Sequence, residues 1–344
     1  MNDYIVFFEK KYNLKLKEKD QEVGCKNIFS LHSDGTLKSL ELNDIILKDL
    51  TDLLPIASNI EELKLAYCEL EDLTGLSTFN QLKKLDLKGN EFTVNDFYEL
   101  EGLIKLNALN LEATDFEDSA CACLKNLQNL KQLYLGYNGG LEEVRELEGL
   151  TALKQIDLAF SGISNIKKIA LNENIQSINL KNSLITEMIG LERFPELKEL
   201  NLSSSQISKI EGLETNLCLQ KLNISSSRLS QIDHLGHLIN LEILDLGNQE
   251  IREIKGIESL KSLKKLNLSE NKIQKVEHLD TLIKLEYLGL DYNDIDYLDT
   301  QFLYNLVGNC LISICGNPIS HIPKLGLENI EIRFNEGIYW PVSL

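Results

Sequence analysis

Apolar and polar residues alternate in short bursts along this chain, and the bursts recur at a nearly constant interval. The clearest is Leu263-Lys-Lys-Leu266-Asn-Leu268-Ser-Glu-Asn271-Lys-Ile273, on the template LxxLxLxxNxI. Leu266 and Leu268 alternate with polar neighbours, which is the period of a strand with one buried face. The first leucine of successive copies, or the Ile in its place, falls at Leu37, Ile60, Leu82, Leu106, Leu130, Leu153, Ile175, Leu197, Leu219, Leu241, Leu263 and Leu285. The steps are 23, 22, 24, 24 and 23 residues, then 22 six times in succession. A unit of this length cannot bury its apolar side alone and does so by stacking on the next unit. Each apolar burst is too short for a hairpin, so the strands lie one repeat apart, in parallel, joined by crossovers.

The slot held by Asn271 follows the strand, where backbone groups lose their ladder partners. An Asn side chain can both donate to and accept from them. The slot is Asn again at Asn90, Asn138 and Asn293, but Ser161, Ser183, Ser205 and Ser227 fill it in the middle, with Cys68, Thr114 and Gln249 elsewhere. A hydroxyl has fewer donors, so a thinner ladder is expected through the central repeats. NDFYELEGLIK and EDSACACLKNLQN, in the two 24-residue repeats, have helical apolar spacing after an Asn or Asp start and predict α-helices. The 22-residue repeats leave room for shorter turns.

The ends depart from the pattern. Residues 3–12 carry apolar side chains at helical spacing behind Asp3, which suits a helix covering an exposed solenoid end. Asp34-Gly35 between two alternating runs is a hairpin signature and places an extra antiparallel strand near 28–32. The expected organisation is a capping helix and hairpin strand over 1–36, a solenoid over 37–335 and a capping tail over 336–344. Twelve repeats are clear. Two more are degenerate, one built on Ile312, Ile314, Asn317 and Ile319, the other on Leu327, Ile330, Ile332 and Asn335.

The motif and its 22-residue step resemble the leucine-rich repeat superfamily over residues 37 to about 335. Within it they are similar to the short class typified by the regulatory subunit of type-1 protein phosphatase and by bacterial internalins. The resemblance implies an α/β solenoid, a horseshoe with a parallel β-sheet on the concave side and short helices or 3-10 turns on the convex side. It also implies binding rather than catalysis, with regulation of a bound enzyme as the alternative that the phosphatase subunit suggests.

Composition narrows the function further. A net charge of −18 argues against nucleic acid and against an anionic membrane, since both require basic surface. Residues 91–148 hold 12 Asp or Glu against 4 Lys or Arg, a solvated face or a dock for a basic partner. No run of 18 apolar residues suggests a membrane span, and MNDYIVFFEKKYN lacks the basic start and cleavage site of a signal peptide. Seven cysteines, Cys25, Cys68, Cys121, Cys123, Cys218, Cys310 and Cys315, are odd in number and scattered. They predict free buried thiols in a reducing cytosol, that of the producing cell or of a host cell receiving a translocated effector.

Catalytic signals are weak. His234 and His278 share a repeat phase but lie two strand spacings apart, about 10 Å. Cys121-x-Cys123 has no second ligand pair, and His32, His237 and His321 stand alone. No cofactor, metal or catalytic residue is expected, and the chain reads as a non-enzymatic protein-protein interaction scaffold.

Recognition is expected on the polar side of the strands. The column between the two core leucines holds Asp86, Asn110, Tyr134, Asp157, Asn179, Asn201, Asn223, Asp245 and Asn267. Its Asn and Asp residues read as a solubilising face. Aromatics are commoner anchors of protein interfaces. Tyr134, Tyr137 and Phe160, flanked by Gln155 and Asp157, form the expected centre, with Tyr67 three repeats earlier. A second group is Tyr287 and Tyr292 beside Asp291. The competing reading packs Tyr137 and Phe160 into the bend after the strand.

Overall fold

The computed structural model describes residues 3–19, 27–319 and 328–333. The expected tail 336–344, Cys25, His321, Leu327 and Asn335 lie outside the described residues. The chain divides into two compact units, Met1–Gly162 with Lys168–Asn172 and Ile163–Lys167 with Glu173–Leu344.

The first unit opens with helix α1 (Asp3–Lys11), which buries Ile5 and Phe8. Strand β1 (Lys17–Glu18) pairs in parallel with β2 (Ile28–Leu31). β2 runs antiparallel to β3 (Leu37–Asn43), with Phe29 opposite Leu40. The hairpin closes where Gly35 takes a left-handed φ of 82° and Asp34 Oδ1 accepts the Thr36 amide at 2.9 Å. From β3 the ladder continues in parallel through β4 (Glu62–Ala66), β5 (Lys84–Asp86), β6 (Ala108–Asn110), β7 (Gln132–Tyr134) and β9 (Gln155–Asp157). Two further strands of this unit, β8 (Val144–Leu147) and β10 (Ile169–Leu171), form a separate parallel pair.

The second unit is a parallel ladder of β11 (Ser177–Asn179), β12 (Glu199–Asn201), β13 (Lys221–Asn223), β14 (Ile243–Asp245), β15 (Lys265–Asn267), β16 (Tyr287–Gly289), β17 (Cys310–Ser313) and β18 (Ile330–Arg333). Both units are α/β solenoid. The repeated leucines are their core: Leu263, Leu266, Leu268 and Ile273 are fully buried, as are Leu85, Leu109 and Leu133 or nearly so.

Strands β3 to β7, β9 and β11 to β17 each end in a left-handed bend. The residue just before the Asn slot is left-handed at Asp44, Tyr67, Ala113, Tyr137, Phe160, Asn182, Ser204, Ser226, Asn248, Glu270 and Tyr292, with φ of 51° to 59°. Bulky residues rarely adopt this region. The bend is required by the repeat, so it recurs whatever side chain occupies the position.

The Asn slot holds that bend. Asn138 Oδ1 accepts the amides of Thr114 and Phe116, and its Nδ2 donates to the carbonyls of Leu111 and Leu135, all at 2.8–3.0 Å. One side chain thus ties its own repeat to the preceding one. Asn90 repeats the arrangement, Asn271 and Asn293 repeat it with one amide each, and Gln249 spans the same gap. The serine slots do less. Ser161 Oγ reaches the Leu158 carbonyl of its own repeat, Ser205 and Ser227 bond each other, and the buried Ser183 Oγ has no partner.

One expectation is corrected. The helical segments of the 24-residue repeats are 3-10 helices, Asp96–Gly102 and Asp118–Leu124, not α-helices. Successive repeats advance by one strand spacing, roughly 4.8 Å. The tighter 3-10 winding suits so narrow a slot, and its seven-residue runs exceed the usual length of such helices. Phe97 and Phe116 meet edge to face at 5.0 Å between them.

Candidate functional site

The alternate positions of β3 to β9 face away from the leucine core. Strand pairing arranges them in rows. One row reads Ser39, Glu62, Lys84, Ala108, Gln132, Gln155, and the next Glu41, Lys64, Asp86, Asn110, Tyr134, Asp157.

The Asn and Asp residues of that second row do more than solubilise. Asp86, Asn110 and Asp157 each accept the backbone amide two residues on, at 2.9–3.1 Å. In the second unit Asn179, Asn201, Asn223, Asp245 and Asn267 make the same turn. This is the local bond that favours Asn and Asp where a strand gives way to a turn. The solubilising reading is therefore too weak. Tyr134 occupies this position without being able to make that bond.

Most of the face is linked strand to strand. Lys19 and Lys84 both reach Glu62, at 3.2 and 2.9 Å, and Lys64 reaches Glu41 at 2.8 Å. Lys88 meets Glu112 at 2.5 Å, and Gln132 donates to Gln155 at 3.0 Å. Between the Glu62–Lys84 and Gln132–Gln155 pairs stands Ala108, a low point in its row. A groove of about 250 Å³ crosses the face from β2 to β7 over it, with Lys84, Asp86, Asn110 and Tyr134 on its walls. Beside it a wider opening of about 650 Å³ is lined by Tyr67, Lys88, Glu112 and the same Asp86, Asn110 and Tyr134. Partial burial raises the Asp86 carboxyl above its ordinary range, although the Lys88 amide and the charges of Lys64 and Lys88 act to lower it. Burial, then the charges of Asp157 and Glu112, push the Tyr134 phenol up.

The expected aromatic centre divides into two kinds of position. Tyr134 stands on the face of β7, with Asp157 beside it on β9. Tyr67, Tyr137 and Phe160 sit in the left-handed bend beyond their strands. Tyr137 is 54% exposed, and its ring stacks on Phe160 at 4.4 Å with 9° between the planes. Packing at the bend and exposure at the rim coexist here. Tyr67 lies over Gly89, where a Cβ would come within 2.2 Å of its ring.

In the second unit Tyr292 lies over Gly316 in the same way. Asp291 accepts the Ser313 hydroxyl and the Cys315 amide, so it ties its repeat to the next one. Tyr287 is corrected: it is only 6% exposed. Gly289, two residues on, provides no side chain to hold the ring upright, and a Cβ there would lie 3.0 Å from it. Burial, then the charges of Asp291 and Asp245, raise its phenol to about 12. Glu41, Lys64, Lys84 and Ala108 belong to the groove but not to the expected centre. An alanine is silent in sequence until the register shows which long side chains flank it. Among the described residues no three His, Cys, Asp or Glu side chains are placed to hold a metal ion.

A family model described as leucine rich repeat matches residues 239–295. No curated protein matches the chain. Solved structures do. An internalin from Listeria monocytogenes is 24% identical with a TM-score of 0.67, covering 83% of this chain and 89% of its own. A leucine-rich repeat protein from Leptospira interrogans is 21% identical with a TM-score of 0.65, covering 87% and 90%. The mouse RP105/MD-1 complex is 24% identical with a TM-score of 0.68, covering 82% of this chain and 50% of that one. At these identities the likeness is one of fold.

Proposed function

We propose that this chain is a leucine-rich repeat protein and a non-enzymatic scaffold that binds a protein partner on the open face of its first unit. The observation that carries the reading is Tyr134, an aromatic at a position that neighbouring repeats fill with turn-forming Asn or Asp. The stacked pair Tyr137 and Phe160 borders it at the rim, and Asp157 and Gln155 stand on the adjoining strand. Large, rigid side chains of this kind lose little conformational freedom on binding and are typical energetic anchors. A ladder tied by Asn90 and Asn138 presents them already ordered.

The free thiols of Cys68, Cys121, Cys123, Cys218, Cys310 and Cys315 support a reducing compartment, the cytosol of the producing cell or of a host. The net charge of −18 and the lysines committed to glutamates on the face support a partner that is neither nucleic acid nor membrane. Capture of partners from lysate by the full chain, followed by mass spectrometry, tests the reading. A folded Tyr134→Ala/Phe160→Ala variant is expected to lose the captured partner. Retention of the same partner by that variant would remove these residues from the interface. Assay of the captured material for phosphatase activity distinguishes a plain scaffold from the regulatory subunit suggested by the resemblance.

A further inference from the structure

Asp86 and Asn110 face each other on β5 and β6 in the same register as Asp245 and Asn267 on β14 and β15. The second pair is closed: Asn267 Nδ2 donates to Asp245 Oδ1 at 2.8 Å. The first is open. Asp86 Oδ1 takes the Lys88 amide and Asn110 Oδ1 the Glu112 amide. Among the described residues, neither side chain is bonded to another side chain.

Sterics explain the difference. Asn267 lies flat because Gly247 and Gly289 flank it; a Cβ on them would come within 2.8 Å of its Nδ2 and 2.6 Å of its Oδ1. Lys88 and Tyr134 hold the equivalent places around Asn110, so it cannot lie down. What remains is a carboxylate oxygen able to accept, and an amide nitrogen able to donate, on adjacent strands spaced about 4.8 Å apart. Both line the groove together with Ala108 and Tyr134.

We propose that this groove docks one extended peptide segment of the partner. A main-chain amide of the segment bridges Asp86, which accepts its N–H, and Asn110, which donates to its carbonyl. An uncharged apolar side chain of the segment sits on Ala108 against Tyr134. Charge complementarity selects that occupant. The lysines of the groove, Lys19, Lys64, Lys84 and Lys88, are already paired with glutamates. An acidic side chain entering the groove would find its lysines already paired, whereas an apolar one meets Ala108 and Tyr134. The groove spans six strands, roughly 24 Å, which holds about seven extended residues.

This rests on the scaffold reading and gives its partner a chemistry. The test pans a phage-displayed library of random seven-residue peptides against the full chain, then measures the strongest synthetic peptide by fluorescence anisotropy. Asn110→Asp keeps the turn bond to Glu112 and removes the donor; Ala108→Phe fills the floor. Each is expected to weaken the peptide at least tenfold in a chain whose circular dichroism is unchanged. Val307→Ala, at an exposed position outside the groove, is expected to change it less than twofold. N-methylation of the bridging amide should abolish binding. A library without a saturable binder, or a peptide that ignores both variants, or enriched peptides with a charged residue at the anchoring place, overturns the proposal. The scaffold reading then still stands or falls by partner capture with Tyr134→Ala/Phe160→Ala.

Discussion

The ring of Phe160 stacks on that of Tyr137, 4.4 Å away and 9° from parallel, across two successive repeats. Both residues hold left-handed backbone, at φ of 57° and 59°. Stacking of this kind contributes ~0.5–1.5 kcal/mol beyond area burial. Phe160→Ala should therefore lower stability by about 1 kcal/mol in urea unfolding. Phe160→Gly should be no worse than the alanine variant, because glycine takes this φ without steric cost. A glycine variant clearly less stable than the alanine variant would show that the bend is not under backbone strain.

The Asn slot and its serine substitutes should respond in opposite ways. Asn138→Ala orphans two amides and two carbonyls in a buried ladder, a loss of about 2–4 kcal/mol. Ser183→Ala removes a buried hydroxyl that lacks a partner and should be neutral or slightly stabilising. Thermal melts of the two variants side by side decide the matter. Equal losses would mean that the ladder is not what holds the repeats in register.

Asp245 is 5% exposed, and burial raises its carboxyl above the ordinary range against its bonds to Gly247 and Asn267. A raised carboxyl binds its proton more readily in the folded chain than in the unfolded one. The stability it permits is fully present below the unfolded value, about 4, and is lost as pH rises through the folded value. Asn is the residue of the same turn in the flanking repeats. Asp245→Asn should therefore raise the melting temperature at pH 7, with the gain shrinking as pH falls toward 4. A gain that is independent of pH would remove ionisation as its cause.

Burial pushes the thiols of Cys68 and Cys121 up to about 11 and that of Cys310 to about 12. The thiolate is the reactive form. Iodoacetamide at pH 8 should leave these three unmodified in the native chain while labelling the partly exposed Cys218. Peptide mass spectrometry reads each site separately. Prompt labelling of Cys68 in the folded chain would contradict its place in the core.

Much of the fold was legible beforehand because it depends on short-range periodicity. Leu266 and Leu268 alternate with polar residues, their neighbours recur 22 residues later, and one arrangement buries them all. The Asp34-Gly35 turn and the Asn slots are local chemistry and were equally readable. The helix type at Asp96–Gly102 was not, since the spacing of Phe97 and Leu100 suits both α and 3-10 windings. The width left by the stacked strands favours the tighter one. Tyr287 was misjudged for a related reason: whether an aromatic stands up or lies down depends on Gly289 beneath it.

The recurring motif was enough to establish a solenoid of parallel strands, which of its leucines are buried, and which column of side chains lies opposite them. Those follow from the alternation within each copy and the recurrence of the copies along the chain. The tertiary structure alone decided that Ala108 is a floor between two linked pairs, and that Asp86 and Asn110 stay open where Asp245 and Asn267 close. Both facts depend on which side chains stand one strand away. Residues about 22 to 24 positions apart in sequence become neighbours about 4.8 Å apart only when the strands are in register.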